Sequence, residues 1–209
     1  MGEQDAMLTR NAVFDALGTS RAVRRFAPDP VPPETIEALI WAATRAPSPE
    51  NDQPWEFVVV TDEARRREIG RLVAAAAEMH AASLPPSEDP GVLRSQASAK
   101  HLVRHFGETP VMIFVCHHVV DYPEAYASAG VGFSAVFMAA ADLLVAARSL
   151  GLGAAFTFAH MLAGPDLPAL IQLPDDVAIM VTIPIGWPLG PVGPVARRPS
   201  PEVLHWNAF

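Results

Sequence analysis

The stretch from Ala46 to Val60 decides the fold, and it reads APSPENDQPWEFVVV. Its first ten residues contain three prolines, which stiffen the chain, and several polar side chains that can bind a ligand or cap neighbouring backbone. The run from Glu56 to Val60 is rich in β-branched residues and follows a turn signal, which is typical of a buried strand. The stretch therefore predicts a rigid polar loop that leads directly into a strand of the central sheet.

Helical and strand patterns alternate on both sides of this loop. Upstream, residues 9–17 fit a short amphipathic helix, and Pro33 opens a second helix that should stop before Pro47. Downstream, the predicted helices cover residues 63–79, 92–106 and 131–149, and the predicted strands cover residues 110–116, 153–158 and 177–185. Within the last strand Pro184 cannot donate to a ladder, so we expect it at a sheet edge or a bulge. The interleaving predicts one sheet flanked by helices, of α/β or α+β class.

The composition favours one compact domain over residues 1–209. Half of the 209 residues are hydrophobic and only 18% are charged, which is enough for a substantial core. The mean hydropathy of +0.20 is high for a soluble monomer. We therefore expect some apolar surface to be covered by a second copy of the chain or by a planar ligand.

The charge balance indicates which class of partner to exclude, and the N-terminal residues indicate where the protein is located. A net charge of −8 argues against a nucleic-acid partner, because phosphate binding needs a basic face. The N-terminus lacks the basic-then-apolar pattern of a signal peptide and the single Cys116 cannot form an internal disulfide, so a cytoplasmic location is expected. The longest apolar stretch, residues 129–147, contains Asp142 and indicates a core helix, not a membrane span.

Residues 19–26 read Thr-Ser-Arg-Ala-Val-Arg-Arg-Phe and form the densest positive charge in the chain. Exposed arginine clusters of this kind are usually solvated. The alternative is anion binding, because planar guanidinium groups match a phosphate and a loop between helices adds backbone N–H donors.

Three further signals have structural interpretations that we favour. His101 and His105 lie four residues apart on a predicted helix, but no third ligand signature accompanies them, so no metal site is predicted. Cys116 lies at the end of an apolar strand and is expected to be a small buried hydrophobe. No Gly-x-Gly-x-x-Gly pattern follows a strand, so a nicotinamide dinucleotide would be a passing substrate and not a resident cofactor.

The arginine-rich segment Ser20–Phe26 followed by the segment 46–60 resembles the opening of the FMN-dependent nitroreductase family. The resemblance continues through Leu150–Gly153, Leu173–Asp176, Ile185–Pro188 and Arg197–Pro199, and so spans nearly the whole chain. It implies an α+β fold with a central, mostly antiparallel sheet flanked by helices. It also implies an obligate homodimer with two flavin mononucleotide (FMN) sites at the subunit interface.

The resemblance also implies which residues hold the cofactor. Cofactor contacts are expected from Ser20, Arg21, Ala22, Val23, Arg24, Pro47, Ser48, Asn51, Gln53, Phe156, Thr157, Phe158 and Arg197. Arg21 would face the phosphate and Arg24 the N1/O2 edge of the flavin, where its charge tunes the ring, while Arg197 would close on the phosphate. Residues 47–53 would line the flavin from the other subunit or side, and residues 156–158 would lie near N5.

The chain departs from the family pattern at two positions of the arginine-rich segment. The family commonly shows Arg-Arg-Ser-x-Arg where this chain has Ser20-Arg21-Ala22-Val23-Arg24. One arginine and one serine hydroxyl are therefore missing, and contacts to the phosphate are expected to be fewer.

The function implied is hydride transfer from NADH or NADPH to a nitroaromatic, quinone or similar electron-poor acceptor by a ping-pong mechanism. The helical region 63–106 would form a lid, and the extension 190–209 would wrap the partner subunit because its end is too apolar for a free tail. Two alternatives stay open at this point. One is a non-enzymatic protein that binds a flavin or an apolar ligand, and the other is a helical interaction module without a cofactor.

Overall fold

The computed structural model describes residues 11–80, 87–118 and 131–209. Its helices are α1 (Ala12–Thr19), α2 (Pro33–Ala43), α3 (Glu63–His80), α4 (Pro90–Arg104), α5 (Val131–Ser149), α6 (His160–Ala163) and α7 (Asp166–Leu170). Its strands are β1 (Trp55–Val60), β2 (Val111–His118), β3 (Gly153–Ala154) and β4 (Val177–Gly186). Short 3-10 turns cover Pro49–Asn51, Phe106–Glu108 and Ser200–Glu202.

The four strands form one antiparallel sheet in the order β1-β2-β4-β3. Trp55 at the start of β1 pairs with His117 near the end of β2. At the other end of the sheet, Val111 of β2 pairs with Ile185 of β4, which also pairs with Ala154 of β3. The strand predicted from the run after Trp55 is thus present at an edge of the sheet.

Both faces of the sheet are covered, because alternate residues of a strand point to opposite sides. On β2, Ile113 and Val115 lie in a core with Leu143 of α5, and α2 packs on the same side. Met112 and Phe114 lie in a second core with residues of α3, α4, α6 and α7. β2 is therefore apolar on both faces, and its residues Val111–His117 are all buried.

The helix α5 has the bounds that its apolar pattern predicts, residues 131–149. It lies in the core that the sequence assigns to it, with Ala139, Ala140 and Leu143 fully buried. No helix in the described ranges is long and apolar enough to cross a membrane.

Two expectations about the ends of elements are corrected by the structure. The strand predicted over residues 153–158 has only two residues, and after Ala154 the chain returns to the sheet through a single bridge between Thr157 and Thr182. The helix predicted from residue 92 begins at Pro90, because Asp89 caps it by accepting from the N–H groups of Gly91 and Val92. Residues 83–86 of the segment 83–91, which its composition predicts to be mobile, lie outside the described residues.

Pro184 is not at an edge, as was expected, since β4 is paired on both sides. Its carbonyl accepts a hydrogen bond from the N–H of Ala155 on the β3 side (3.2 Å). The N–H and C=O of one strand residue face the same neighbouring strand. The N–H group that Pro184 lacks would therefore point to the β3 side, at a position beyond Ala154, where β3 has ended. A register shift does occur in β4, but at Met180, which lies between the partners of Val115 and Cys116.

Gly70 of α3 marks the closest approach between this helix and the 3-10 turn Phe106–Glu108. A methyl group on Gly70 would overlap the backbone nitrogen of Gly107. A methyl group on Gly18 of α1, in contrast, would have nothing within 4 Å. We predict that Gly70→Ala lowers the free energy of unfolding by about 1–3 kcal/mol, as overpacking does.

Gly18→Ala is the matched control for that substitution. It adds the same methyl group in a helix without a steric cost, so it should raise the free energy of unfolding by up to about 1 kcal/mol. Urea unfolding of both variants checks the pair. Equal effects of the two substitutions would contradict the close packing of α3 on the turn.

Candidate functional site

Backbone hydrogen bonds hold the arginine-rich segment beside the sheet. The N–H of Val23 donates to the carbonyl of Ala154 in β3 (2.9 Å), and Leu189 N–H donates to the carbonyl of Arg25 (3.1 Å). Phe26 forms a further bridge with Pro188. Gly153 allows this approach, because a side chain there would collide with that of Val23. The segment is therefore fixed between β3 and the chain that follows β4.

The guanidinium groups of this segment have no acidic partner among the residues that the structure describes. In the part of the chain that the structure describes, neither Arg21 nor Arg24 has a carboxylate within 4.0 Å. Arg24 is half-buried, and burial together with the neighbouring charge of Arg21 lowers the pKa of its guanidinium. Two adjacent cations in partly desolvated surroundings repel one another. A bound anion would relieve that repulsion.

Two clefts meet at these arginines. The first has a volume of about 210 Å³ and is lined by residues 21–25, Ser98 of α4 and the segment 188–192. The second has a volume of about 160 Å³ and is lined by Arg24, Arg25, Phe26, His101, Leu102, His105, Glu108, Thr109 and Leu189. The hydroxyl of Thr109 is buried without a hydrogen-bond partner in the described structure. The second cleft is thus lined by cations and by a threonine whose buried hydroxyl has no partner among the described residues.

The predicted contact segment 156–158 presents two aromatic rings close to the arginine-rich segment. Phe156 is 39% exposed and Phe158 48% exposed, and their rings meet edge to face at 5.4 Å. Thr157 is held between them by reciprocal backbone hydrogen bonds with Thr182, of 3.1 and 2.9 Å. This segment begins two residues after Ala154, which binds Val23. Exposed aromatic surface therefore follows directly along the chain from the contact that holds the arginine-rich segment.

A half-buried histidine binds the residue that pairs with Thr157. The Nδ1 atom of His160 lies 3.0 Å from Oγ1 of Thr182. Thr182 has no exposed surface, so its hydroxyl depends on this hydrogen bond. Burial lowers the pKa of His160 from 6.5 to about 4. The histidine is accordingly neutral near pH 7.

The proline-rich loop has an unusual backbone. Glu50, Asn51 and Gln53 have φ values of 51°, 61° and 50°, in the left-handed region that side chains disfavour. The Oγ atom of Ser48 stabilises the loop by accepting from the N–H of Gln53 (3.0 Å). Non-glycine residues persist in such conformations when their surroundings impose them, and they are common at functional sites.

The structure does not bring this loop to the arginines of the same chain. The loop precedes Trp55, which pairs with His117, whereas the arginine-rich segment lies at the sheet end marked by Val111. Six residues of β2 separate these two positions, which is roughly 20 Å at about 3.3 Å per residue. The two halves of the predicted site therefore lie at opposite ends of the sheet in one protomer.

Among the described residues, Arg197 forms no hydrogen bond with the arginine-rich segment. Its side chain donates only to the carbonyl of Ala196 (3.0 Å) among the described residues. The preceding backbone is nevertheless held close by, because Val195 N–H donates to the carbonyl of Gly18 in α1 (3.0 Å). The chain after Val195 thus starts next to the end of α1, which leads into Ser20.

Sequence reasoning missed several residues of the clefts. Ser98 and His101 line them from α4, and Arg148 of α5 lines a small adjoining cavity with Ser20 and Arg21. The rings of His101 and His105 stack at 4.2 Å, and the described residues contain no cluster of three or more metal-ligating side chains. No local pattern marks these positions, because the contacts bridge distant parts of the chain.

Cys116 takes the structural role that was expected of it. It is fully buried in β2, and burial raises the pKa of its thiol to about 12, with the charge of Glu56 adding to the effect. A thiol so far from ionisation is not a nucleophile near neutral pH.

Comparisons with known proteins agree with this architecture. The family model "Nitroreductase family" matches residues 19–187. A 5,6-dimethylbenzimidazole synthase of Rhodospirillum rubrum is 32% identical over 197 residues, which cover 88% of this chain and 89% of that protein. The crystal structure of a putative NADH dehydrogenase/NAD(P)H nitroreductase from Parabacteroides distasonis is 26% identical with a TM-score of 0.68, and the match covers 95% of this chain and 99% of that one.

A third comparison concerns a structure with its ligands in place. An iodotyrosine deiodinase solved with bound FMN and 3-iodo-L-tyrosine is 22% identical, with a TM-score of 0.73 and coverage of 94% of this chain and 100% of that one. At this identity the likeness shows the fold. The α+β class with an antiparallel sheet, expected from the sequence, is confirmed.

The low pKa of His160 makes stability depend on pH. The unfolded chain protonates this histidine near pH 6.5, whereas the folded protein does so only near pH 4. The contribution is therefore fully present above pH 6.5 and is lost as the pH falls from 6.5 towards 4. We predict that His160→Gln reduces the fall in the urea midpoint between pH 7 and pH 4.

His205→Gln, in the exposed C-terminal segment, is the matched control and should follow the unmodified protein. Unfolding curves at pH 7, 6, 5 and 4 check both variants. Parallel pH profiles for the unmodified protein and His160→Gln would show that burial of this histidine has no such effect.

Proposed function

The chain belongs to the nitroreductase family, and we propose that it is an FMN-dependent oxidoreductase acting as a homodimer. It transfers hydride from NADH or NADPH to a nitroaromatic, quinone or similar electron-poor acceptor by a ping-pong mechanism. The observation that carries this proposal is that Arg21 and half-buried Arg24 line a cleft and have no carboxylate partner among the described residues. Ala154, which binds this segment, leads within four residues to the exposed rings of Phe156 and Phe158. Cations and flat apolar surface are what a phosphorylated, planar cofactor requires.

The residues present fit FMN in their chemistry. The guanidinium of Arg21 suits the phosphate, and the buried unsatisfied hydroxyl of Thr109 is the kind of group that a bound polar ligand satisfies. When bound, FMN supplies hydride acceptance and donation at N5. The positive charge of Arg24 would stabilise a ring that becomes negatively charged on two-electron reduction, and so it would favour transfer of a hydride over single electrons.

The segment 156–158 positions the ring system and excludes water. Phe156 and Phe158 give it apolar contact surface. The hydroxyl oxygen of Thr157 accepts from the N–H of Ala159 (3.2 Å), which leaves its proton free for donation to the cofactor. Ser98 and His101 place α4 at the clefts, and on this basis we assign the region 63–106 to the cover of the site.

The homodimer is supported by what one protomer leaves incomplete. The strained loop at residues 48–53 lies roughly 20 Å from the arginines of its own chain, so in this proposal it serves the site of the partner. Exposed apolar side chains provide the surface for such a partner. They include Val13, Phe14 and Leu17 on α1, Trp41 on α2, which is 64% exposed, and Trp206 and Phe209 in the extension 190–209.

A second candidate is a flavin-binding protein without turnover. The specific observation that favours it is the sequence at Ser20 and Ala22, which lacks one arginine and one hydroxyl of the family pattern. Relatives also differ in their reactions, since one is named a synthase and another a deiodinase. The acceptor is therefore proposed only as a class of conjugated, electron-poor molecules.

The first test is the visible spectrum of the purified protein after FMN addition and desalting, followed by anaerobic NADH or NADPH. Flavin bands that persist and then bleach support the reductase, whereas bands that no nicotinamide bleaches favour the binding protein.

We predict that Arg24→Gln weakens FMN binding roughly 10- to 100-fold and slows reduction, because a charge-assisted hydrogen bond is lost.

Arg67→Gln is the matched control, because Arg67 is exposed and, within the described ranges, its ion pair is with Glu63 of its own helix. It should leave binding and reduction unchanged. An unchanged reduction rate of Arg24→Gln at saturating FMN would remove Arg24 from its tuning role while leaving the cofactor assignment intact.

The proposal that each site is built from two chains is tested by combining two variant chains with different defects in one dimer. One chain carries Arg24→Gln, and the other carries Pro47→Trp, which adds bulk at an exposed position of the proline-rich loop. Each homodimer should bind FMN poorly. Co-expressed chains should recover about one quarter of the normal number of sites, because half of the dimers are mixed and each holds one intact site.

FMN content per chain in the three preparations is the measurement. If both halves of the site came from the same chain, mixed dimers would contain no intact site. No recovery in dimers shown to be mixed would then contradict the arrangement.

A further inference from the structure

Arg148 lies beside the position where the family pattern has an arginine and this chain has Ser20. It belongs to the last turn of α5, 128 residues further along the chain. With Ser20, Arg21, Val23 and Val192 it lines a small cavity. Arg21, Val23 and Val192 also line the 210 Å³ cleft. Arg148 therefore shares a small cavity with three residues that also line the cleft.

A hydrogen bond fixes the orientation of this guanidinium. The Nε atom of Arg148 donates to Oγ1 of Thr19 (2.8 Å), and that hydroxyl in turn donates to the carbonyl of Asp15 (2.7 Å). Thr19 immediately precedes Ser20, so the anchor lies next to the arginine-rich segment. An arginine held in this way loses little conformational freedom when it binds a ligand.

The remaining donors of Arg148 are available. Among the described residues, no carboxylate lies within 4.0 Å of it, and its terminal nitrogens donate to no protein acceptor. Arg148 is half-buried, so solvent compensates its charge only in part. Together with Arg21 it makes the region around Ser20 doubly cationic, which suits a phosphate dianion.

We propose that Arg148 supplies the second guanidinium of the phosphate site, in place of the arginine that the family pattern has at residue 20. This inference rests on the proposed function, because it names a further residue for the same cofactor. It also accounts for the departure at Ser20, since a positive charge lost from the loop is replaced by one from α5. The occupant is a phosphate monoester, and FMN is the one that the proposed function requires.

The experiment compares FMN with riboflavin, which has the same ring system but no phosphate. Dissociation constants come from flavin fluorescence with the unmodified protein, Arg148→Gln and Arg148→Lys. We expect Arg148→Gln to weaken FMN binding roughly 10- to 100-fold, the loss of one charge-assisted contact, and to leave riboflavin binding unchanged. Arg148→Lys keeps the charge and should retain part of the affinity for FMN.

Thr19→Val separates the charge from the anchor. It removes the hydroxyl that orients Arg148 but keeps the guanidinium, so it should weaken FMN binding less than Arg148→Gln does. Equal losses for Thr19→Val and Arg148→Gln would show that Arg148 acts only by tying α1 to α5. Equal losses of FMN and riboflavin affinity in Arg148→Gln, or no loss at all, would also overturn the inference.

Inorganic phosphate provides a probe that does not involve the flavin. Phosphate should raise the thermal midpoint of the unmodified apoprotein, and Arg148→Gln should reduce that shift. If the unmodified protein binds neither FMN nor riboflavin, the proposed function fails, and the phosphate shift then decides separately whether Arg148 belongs to an anion site. No difference in that shift between the two proteins would reject Arg148.

Discussion

The hydrogen bond from Val23 N–H to the carbonyl of Ala154 is the contact on which the candidate site depends. It fixes a short cationic segment beside the shortest strand of the sheet. Gly153 makes the approach sterically possible, because any side chain there would occupy the space of Val23. Without this attachment the arginines would be exposed to solvent, as clusters of charged residues usually are.

The attachment produces an electrostatic imbalance in a protein that is acidic overall. The chain carries a net charge of −8, yet Arg21 and Arg24 meet no carboxylate in the described ranges. Folding places these cations together and partly removes water from Arg24. A bound anion would offset this cost. Arg148, half-buried and oriented by Thr19, adds to the same imbalance.

The sheet also determines which groups cannot meet within one protomer. Both of its faces are covered by helices, so ligand-binding residues are confined to strand ends and to the segments beyond them. The strained loop at residues 48–53 and the arginine-rich segment lie at opposite strand ends. The exposed apolar side chains of α1 and of the C-terminal segment fit the same picture, in which a second copy completes the site.

The sequence by itself determined the elements whose signals are local. The apolar period of residues 131–149 predicted α5 with the bounds it has, Pro33 marked the start of α2, and the valine run predicted β1 to within one residue. The order of the arginine-rich and proline-rich motifs was sufficient to identify the family. These signals were reliable because propensity, periodicity and capping act over a few neighbouring residues.

Only the tertiary structure decided where those elements meet. It placed Pro184 in an inner strand, shortened the strand after Gly153, and drew His101 into a cleft. It also brought Arg148 next to Ser20. Such contacts join residues far apart in the chain, and they depend on strand register and helix packing, which no local pattern encodes.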